Sequence, residues 1–246
     1  MSRLVIISGP SCVGKGPLHA ALRKFYPDLA GRLTPVVLYN SRAPRPGELD
    51  GVDYHFRPRE EIDALRGRDG FLVLDVRGDL LALDRKELEG LLRRDDVLFE
   101  GNSFVGQALL DCPLPGGAER LSIFVSPLSR EEIEFLASGE CRAEPGAFVT
   151  DVMRRKLLRR TRRQKTNLSL RDLEDIERRA ASALVEMGQA WRFDHVVPNH
   201  DGEDSENWDA FYYPVGDARR TLRSVAALLA GEPAPGAETW DRDLVP

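Results

Sequence analysis

The N-terminal segment combines an apolar strand with a glycine-rich loop that ends in lysine. Residues 4–7 are apolar, Gly9 follows, and Gly14 and Lys15 come after four intervening residues. This is the Walker A spacing, in which glycines let backbone N–H groups curve around phosphate oxygens and the lysine reaches the outer phosphates. The chain therefore predicts a strand, a phosphate loop and a helix, and an ordinary glycine-rich turn is the less favoured alternative. The loop residues expected to bind the triphosphate are Gly9, Pro10, Ser11, Cys12, Val13, Gly14, Lys15 and Gly16.

The residues after the lysine depart from that pattern. A Walker A loop continues with Ser or Thr, whose hydroxyl contacts Mg²⁺, whereas this chain has Gly16 and Pro17. Pro17 suits the first turn of a helix but removes one N–H that could meet a phosphate. The sequence predicts a nucleotide site with unusual metal coordination.

Charge and hydropathy limit the class of protein. The 246 residues carry a net charge of −5, with 42% hydrophobic and 30% charged residues, which allows a substantial core. The acidic balance argues against a surface devoted to nucleic acid. No run of about 18 apolar residues predicts a membrane span, and the N-terminus does not resemble a signal peptide. We expect a cytoplasmic enzyme acting on small molecules, of an oligomeric state that the sequence leaves open.

The cysteines and histidines do not predict a metal site. Cys12, Cys112 and Cys141 are widely spaced, so a disulfide framework is not expected either. Cys12 lies inside the phosphate loop, and a thiol of lowered pKa is one hypothesis there. A small side chain that simply fits the loop is the favoured interpretation.

Hydrophobic periodicity predicts an α/β fold with a mostly parallel sheet flanked by helices. Strands are expected at residues 3–8, 35–38, 71–74, 96–100, 121–125 and 195–198. Helices are expected at residues 15–25, 85–94, 151–163, 171–192 and 217–230. Residues 231–246 are rich in proline, glycine and acidic residues, which predicts a flexible tail.

Two other segments differ from the rest of the chain. Eight basic residues fall between Arg154 and Lys165, where a solvated helix, a polyphosphate clamp and a nucleic-acid contact are all possible. The phosphate loop favours the clamp, because phosphoryl transfer needs positive charge over the migrating group. The aromatic residues of segment 200–216 either pack on the core, which is favoured, or form a pocket wall. They are Trp208, Phe211, Tyr212 and Tyr213.

A second loop, residues 42–56, has the composition of an anion site. Arg42 and Arg45 are followed by Glu48 and Tyr54. Two guanidinium groups and a phenol can hold a phosphate while the glutamate orients the arginines. Prolines stiffen the loop and reduce the conformational freedom that binding would cost, so the sequence predicts a second phosphate site.

With both loops in view, the chain resembles the guanylate kinase family. Residues 42–56 match that family's monophosphate loop without a gap, as Arg-x-Pro-Arg-x-Gly-Glu-x-x-Gly-x-Asp-Tyr-x-Phe. Residues 9–16 match its ATP loop, as Gly-Pro-Ser-x-Val-Gly-Lys-Gly. Weaker similarity returns at 123–129, 176–181 and 194–199, so the resemblance covers most of residues 1–200.

The resemblance implies a P-loop NTPase fold with an acceptor-binding insertion and a helical lid. A single domain would cover residues 1–230, followed by the tail at 231–246. Its core would comprise about 1–37, 95–133 and 190–230, with the acceptor-binding region at about 38–94 and the lid at about 134–180.

The resemblance also implies ATP as the phosphate donor, Mg²⁺ as the metal and GMP as the acceptor. Lys15 would contact the β- and γ-phosphates, and Asn199 would lie near the adenine. Arg179 and Arg160 would be the lid arginines that reach the transferring group. Glu100, at the end of a strand, would hold Mg²⁺ or lie at the substrate, and pairing with a lid arginine is the alternative.

At the acceptor, the resemblance implies that the catalytic Arg42, together with Arg45 and Tyr54, holds the phosphate, supported by Glu48. The base-reading positions differ, because Val73 replaces a glutamate and Leu38 a serine. A site without buried hydrogen-bonding partners discriminates weakly between bases. Three alternatives to a GMP kinase therefore stay open. They are a kinase of another small phosphorylated acceptor, a nucleotide-binding or interaction module without catalysis, and a polynucleotide end kinase that uses the basic helix.

Overall fold

The computed structural model describes residues 2–45, 47–139 and 143–245. The strands are β1 (Arg3–Ser8), β2 (Leu33–Pro35), β3 (Leu38–Asn40), β4 (Tyr54–Phe56), β5 (Phe71–Val76), β6 (Asp79–Asp84), β7 (Asp96–Gly101), β8 (Glu119–Ser126) and β9 (His195–Pro198). The helices are α1 (Lys15–Phe25), α2 (Pro27–Ala30), α3 (Arg59–Asp63), α4 (Arg85–Leu92), α5 (Ser103–Leu110), α6 (Arg130–Ala137), α7 (Pro145–Gln164), α8 (Leu170–Ala181), α9 (Ala183–Met187) and α10 (Gly216–Ala230). Single 3₁₀ turns cover Ala190–Arg192 and Glu206–Trp208.

The strands form a five-stranded and a four-stranded sheet. The larger sheet has the order β2-β7-β1-β8-β9, with β2 parallel to β7 and β8 parallel to β9. The smaller sheet has the order β4-β3-β6-β5. Its β5–β6 hairpin turns at Arg77 and Gly78, both with positive φ, which is the backbone that a tight two-residue hairpin requires. The predicted α/β class with a mostly parallel central sheet is confirmed.

The chain divides into two compact units. The first comprises Met1–Val5, Leu33–Phe99 and Cys112–Arg120. The second comprises Ile6–Arg32, Glu100–Asp111 and Leu121–Pro246. The predicted boundaries of core, acceptor-binding region and lid stay predictions.

Each unit has its own apolar packing. In the first, Ile62, Leu80 and Ala82 are fully or almost fully buried and contact partly buried neighbours that include Val73. In the second, one face of α1 is buried because its apolar residues recur at helical spacing, and α10 packs against it. Full burial of each such leucine contributes roughly 1.5–3 kcal/mol.

Two of the predicted elements are each divided in the structure. The expected strand 35–38 is two short strands, because Pro35 ends β2 in the larger sheet and Leu38 begins β3 in the smaller one. The expected helix 171–192 is broken after Ala181. The Ser182 hydroxyl there bonds to the Arg179 carbonyl and the Glu186 carboxylate, and such side-chain bonds compete with a continuous helix.

The expectation of a flexible tail does not hold for residues 238–241. Glu238 forms an antiparallel bridge with Val196 of β9, and Trp240 is 4% exposed. The guanidinium of Arg130 on α6 contacts the Thr239 carbonyl and the Asp241 carboxylate. The buried Trp240 and the Glu238–Val196 bridge hold these residues in place, although the polar composition of residues 231–246 predicted a flexible tail.

The described residues contain no helix that combines the length and the apolar character of a membrane-spanning segment. Within the same residues, Cys12 and Cys112 are buried and form no disulfide. Cys141 lies outside the described residues.

Candidate active site

The phosphate loop leaves β1 and ends where α1 begins. Gly9 has a φ of +148° and Gly14 a φ of +102°, a region of backbone space that favours glycine. A Cβ on Gly9 would lie 2.2 Å from the carbonyl oxygen of Val125. A Cβ on Gly14 would lie 2.5 Å from the side-chain nitrogen of Asn199. Both motif glycines are required by conformation and by close packing.

Lys15 is the first residue of α1 and is 8% exposed. Its ammonium donates to the carbonyl oxygens of Gly9 at 2.8 Å and Pro10 at 2.7 Å. The cation therefore lies against the start of the loop, and its contact with the β- and γ-phosphates stays a prediction.

Position 16, where a Walker A loop carries the hydroxyl of Ser or Thr, has free space beside it. Apart from the adjacent residues and the backbone of α1 itself, no described atom lies within 4 Å of where a Cβ on Gly16 would be. Serine would fit there, so packing does not impose the glycine. Pro17 lies in the first turn of α1, where a proline is tolerated.

Basic residues of α7 pair with acidic residues of segment 201–206, which we call the acidic segment. Arg159 contacts Asp204 at 2.9 Å, and Arg163 contacts Glu206 at 3.4 Å. Asp204 is 8% exposed, so its pair is largely shielded from water on the acid side. The basic helix and the acidic segment are thus partners of each other.

Two further basic residues of α7 also bond to groups within the protein. The buried Lys156 donates to the carbonyl oxygen of His200, and burial lowers the pKa of this lysine. Arg154 contacts both oxygens of Glu177 on α8, at 2.5 and 2.9 Å. This basic run is thus paired in part within the protein, while its Arg159, Arg163 and Lys165 side chains are 62%, 49% and 43% exposed.

The acidic segment also reaches the phosphate loop. The carboxylate of Glu203 accepts the backbone N–H of Gly14 at 3.1 Å. Burial alone would raise the pKa of Glu203, but the charges of Lys15 and Arg160 hold it below its ordinary value. This carboxylate is therefore ionised at the loop.

The thiol of Cys12 lies in the same environment. Burial and the nearby Glu203 carboxylate raise its pKa to about 12. The hypothesis of a thiol with a lowered pKa is wrong, and the small-side-chain interpretation of Cys12 is the one that fits.

Other predicted donor-site residues lie around the same loop. Arg179 of α8 donates to the Ser11 hydroxyl at 3.1 Å. Arg160 of α7 is near enough to Glu203 to lower its pKa. Asn199 is fully buried and donates to the carbonyl oxygen of Val13 at 2.7 Å. The structure thus brings these three predicted residues to the donor loop.

Glu100, the predicted metal ligand, lies at the end of β7. Its carboxylate contacts the His19 imidazole of α1 at 3.1 Å, so the partner is a histidine and not a lid arginine. The described residues contain no cluster of three or more metal-ligating side chains. A single carboxylate fits Mg²⁺ that is held mainly by phosphates and water.

The arginine loop in the first unit is held by one glutamate. Both terminal nitrogens of Arg42 donate to the two oxygens of Glu48, each at 2.6 Å, and the Arg45 amide donates at 2.7 Å. Burial would raise the pKa of Glu48, but these donors hold it below its usual range. Glu48 thus orients the arginine, as predicted from the residue types.

Aromatic rings support the same arginine. The guanidinium carbon of Arg42 lies 5.1 Å from the Tyr54 ring centre and 5.5 Å from that of Phe56. Asp50 accepts the Phe56 amide at 2.7 Å, which ties the middle of the loop to its C-terminal end. The described residues of the loop are therefore held in place by contacts with one another.

The expected base-reading positions are apolar. Val73 packs in the Ile62 cluster and lies opposite Ala82 in the β5–β6 pair. Leu38 is 3% exposed. Neither side chain offers a hydrogen bond to a base.

The aromatic residues of segment 200–216 divide into two groups. Trp208 is buried and donates to the carbonyl oxygens of Asp201 and Gly202, and the Tyr213 hydroxyl contacts that of Tyr26 at 3.1 Å. In contrast, two of the aromatic residues are largely exposed, although the Tyr212 ring meets that of Phe25 edge-on at 5.6 Å. They are Phe211 at 70% and Tyr212 at 82% exposure.

Sequence reasoning missed His19 and Glu203. A signal existed for Glu203, since four acids within 201–206 complement the basic run of α7 in charge. His19 gave none, because its pairing with Glu100 joins residues 81 positions apart.

The sequence of this chain is also similar to those of known proteins. A family model described as guanylate kinase matches residues 1–88. A guanylate kinase from Synechococcus sp. (strain JA-3-3Ab) is 32% identical over 216 residues, covering 86% of this chain and 82% of the relative. A guanylate kinase from Alkalilimnicola ehrlichii is 32% identical over 200 residues, covering 80% and 81%.

A solved structure shares the fold. The crystal structure of guanylate kinase from Anaplasma phagocytophilum superposes with a TM-score of 0.52, covering 94% of this chain and 85% of the other. At 19% identity, this likeness concerns the fold alone.

Proposed function

Because this chain belongs to the guanylate kinase family, we propose that it transfers the γ-phosphoryl group of ATP to GMP. The observation that carries the proposal is the arginine loop, in which Glu48 holds Arg42 by two hydrogen bonds of 2.6 Å. A pre-oriented guanidinium recognises a phosphate with less loss of conformational freedom. The other phosphate site, formed by the phosphate loop and Lys15, binds the donor.

On the donor side, each residue has a role in binding or charge. Loop N–H groups and Lys15 bind the β- and γ-phosphates, and Arg160 and Arg179 neutralise charge on the group in transfer. Asn199 lies near the adenine, where its fully buried amide donates to the carbonyl oxygens of Val13 and Asp201. Mg²⁺, when bound, neutralises phosphate charge, and Glu100 is the residue that would hold it, directly or through water.

On the acceptor side, Arg42, Arg45 and Tyr54 bind the monophosphate, and Glu48 keeps Arg42 in place. Catalysis then comes from positioning and electrostatics, without a covalent intermediate. Since Val73 and Leu38 are apolar, we expect the enzyme to discriminate less between bases than a site with buried hydrogen-bonding groups.

The pairing of α7 with the acidic segment argues against a polynucleotide substrate. Arg159 and Arg163 have acidic partners within the chain, and Lys156 is buried. We further propose that the protein acts on small nucleotides in the cytoplasm.

The test is ATP-dependent turnover over a panel of nucleoside monophosphates, with GMP expected to be the preferred acceptor. Lys15→Ala should lower kcat by at least about 100-fold, since it removes a charge that stabilises the transition state. Lys24→Ala, at the other end of α1, is the matched control and should retain activity. Absence of turnover with every monophosphate would refute the proposal, and a clear preference for another acceptor would correct its substrate.

A further inference from the structure

The acidic segment lies directly against the phosphate loop. A Cβ on Gly202 would lie 2.2 Å from the carbonyl oxygen of Cys12, so the two backbones are in contact. Only glycine allows this approach at that position. The loop that is built to bind phosphate is thus covered in part by residues of the same chain.

The contact places a carboxylate on a phosphate-binding group. Glu203 accepts the Gly14 N–H at 3.1 Å, and the charges of Lys15 and Arg160 act on it. A loop amide, the Walker lysine and a lid arginine are the groups that a triphosphate needs. Here all three act on one carboxylate.

The segment is held in this position from several sides. Asp201 accepts from the Ser205 hydroxyl at 2.8 Å, from the Asn207 side chain at 3.0 Å and from the Ala218 amide at 2.9 Å. The last of these is a donor in the first turn of α10. The position of Glu203 is therefore determined by a hydrogen-bonded framework.

Neighbouring acids neutralise the basic helix in the same way. Asp204 forms an ion pair with Arg159, and Glu206 forms one with Arg163. The acidic segment thus supplies one carboxylate to the phosphate loop and two to the basic helix. Unpaired cations and loop amides in a half-buried site are costly, and the carboxylates remove that cost in the resting protein.

We propose that the Glu203 carboxylate is an internal substitute for a donor phosphate, which the nucleoside triphosphate displaces from the Gly14 N–H when it binds. Glu203 then sets the affinity for the donor by competition. The proposal rests on the proposed function only in taking a triphosphate as the ligand of the loop. It makes Glu203 an affinity-determining residue outside the Walker motif.

The test compares Glu203→Gln with Glu206→Gln. Both remove one charge from the acidic segment, but Glu206 pairs with Arg163 at the end of the segment and is exposed. We expect Glu203→Gln to lower the Kd for ATP about 10-fold. The neutral glutamine loses the charge-assisted hydrogen bond to the Gly14 N–H, so it competes less strongly with the donor phosphate. Glu206→Gln should change it by less than about 2-fold. Glu203→Asp, with a shorter reach to Gly14, should give an intermediate value.

The readout is calorimetric binding of ATP and of inorganic tripolyphosphate, measured without any acceptor. Equal affinities for the two glutamine variants would overturn the proposal. A weaker affinity in Glu203→Gln would overturn it too, and would make Glu203 a ligand of the donor or its metal. Failure of both variants to bind tripolyphosphate would also contradict it, since removal of a competitor should expose the site.

Turnover separates this proposal from the proposed function. If tripolyphosphate binds more tightly to Glu203→Gln but no acceptor is phosphorylated, the competition stands and the kinase assignment fails. If Glu203→Gln phosphorylates GMP with the same KM for ATP as the wild type, the kinase assignment stands and the competition proposal fails. In the supporting case, the KM for ATP falls in Glu203→Gln and that for GMP stays the same.

Discussion

The hydrogen bonds between Arg42 and Glu48 allow a quantitative prediction. The side chains of this pair are 14% and 19% exposed, and two donor–acceptor distances are 2.6 Å. Hydrogen bonds to charged groups contribute about 1.5–3 kcal/mol each, and loss of one partner from a fully buried ion pair costs about 3–5 kcal/mol. Because water still reaches part of this pair, we expect Glu48→Ala to lower the free energy of unfolding by about 2–3 kcal/mol.

A double-mutant cycle isolates the interaction. Arg42→Ala, Glu48→Ala and the double variant are unfolded in urea and followed by circular dichroism, with an expected coupling energy of about 2 kcal/mol. The exposed pair of Asp63 and Arg66 in the same unit is the control and should couple by less than about 0.5 kcal/mol. A coupling energy for the Arg42–Glu48 pair as small as that of the control would refute the reasoning.

The pH dependence of the same pair has a definite sign. The folded pKa of Glu48 lies below its ordinary value of about 4.3. Its contribution is therefore fully present above that value and is lost as pH falls through the lowered folded pKa. Glu48→Gln should lack this dependence, so the stability difference between wild type and variant should shrink in acid.

Three further predictions concern the second unit. Trp240→Ala should destabilise the protein by about 3 kcal/mol in thermal or urea unfolding, because a large buried side chain is removed; a change below about 1 kcal/mol would mean that the tail is not docked. His200 should titrate above its ordinary pKa of about 6.5 by NMR, since its burial is outweighed by hydrogen bonds to Asp217 and Glu132, and its stabilising effect should be lost as pH rises through that higher value. Cys12 should resist alkylation by iodoacetamide at pH 8, where a thiol with a pKa of about 12 is protonated, and rapid labelling of the native protein would contradict this.

The parts of the site that the sequence predicted are those made by local contacts. Arg42 and Glu48 are six residues apart, and the Lys15 ammonium contacts carbonyl oxygens five and six residues earlier. Loop spacing and residue type are enough to predict such contacts. The roles that Arg42, Lys15 and the lid arginines have in catalysis stay predictions.

Contacts between distant residues could not be read in this way. The bond from Gly14 to Glu203 spans 189 positions, and charge complementarity did not indicate which acid would meet the loop. The apolar run at 35–38 gave no sign that the chain changes sheets within it. Strand propensity depends on burial in a sheet, and not on which sheet that is.

The bridge between Glu238 and β9 has a consequence for how copies of this chain behave together. β9 is the last strand in the order of the larger sheet, and an edge strand offers its backbone groups as a template for a strand from another chain. The amide and carbonyl of Val196 are instead bonded to Glu238, at 2.8 and 2.7 Å. The tail thus occupies backbone groups of β9 that could otherwise pair with a strand from another chain. Its removal should promote aggregation of the protein while phosphate binding is retained.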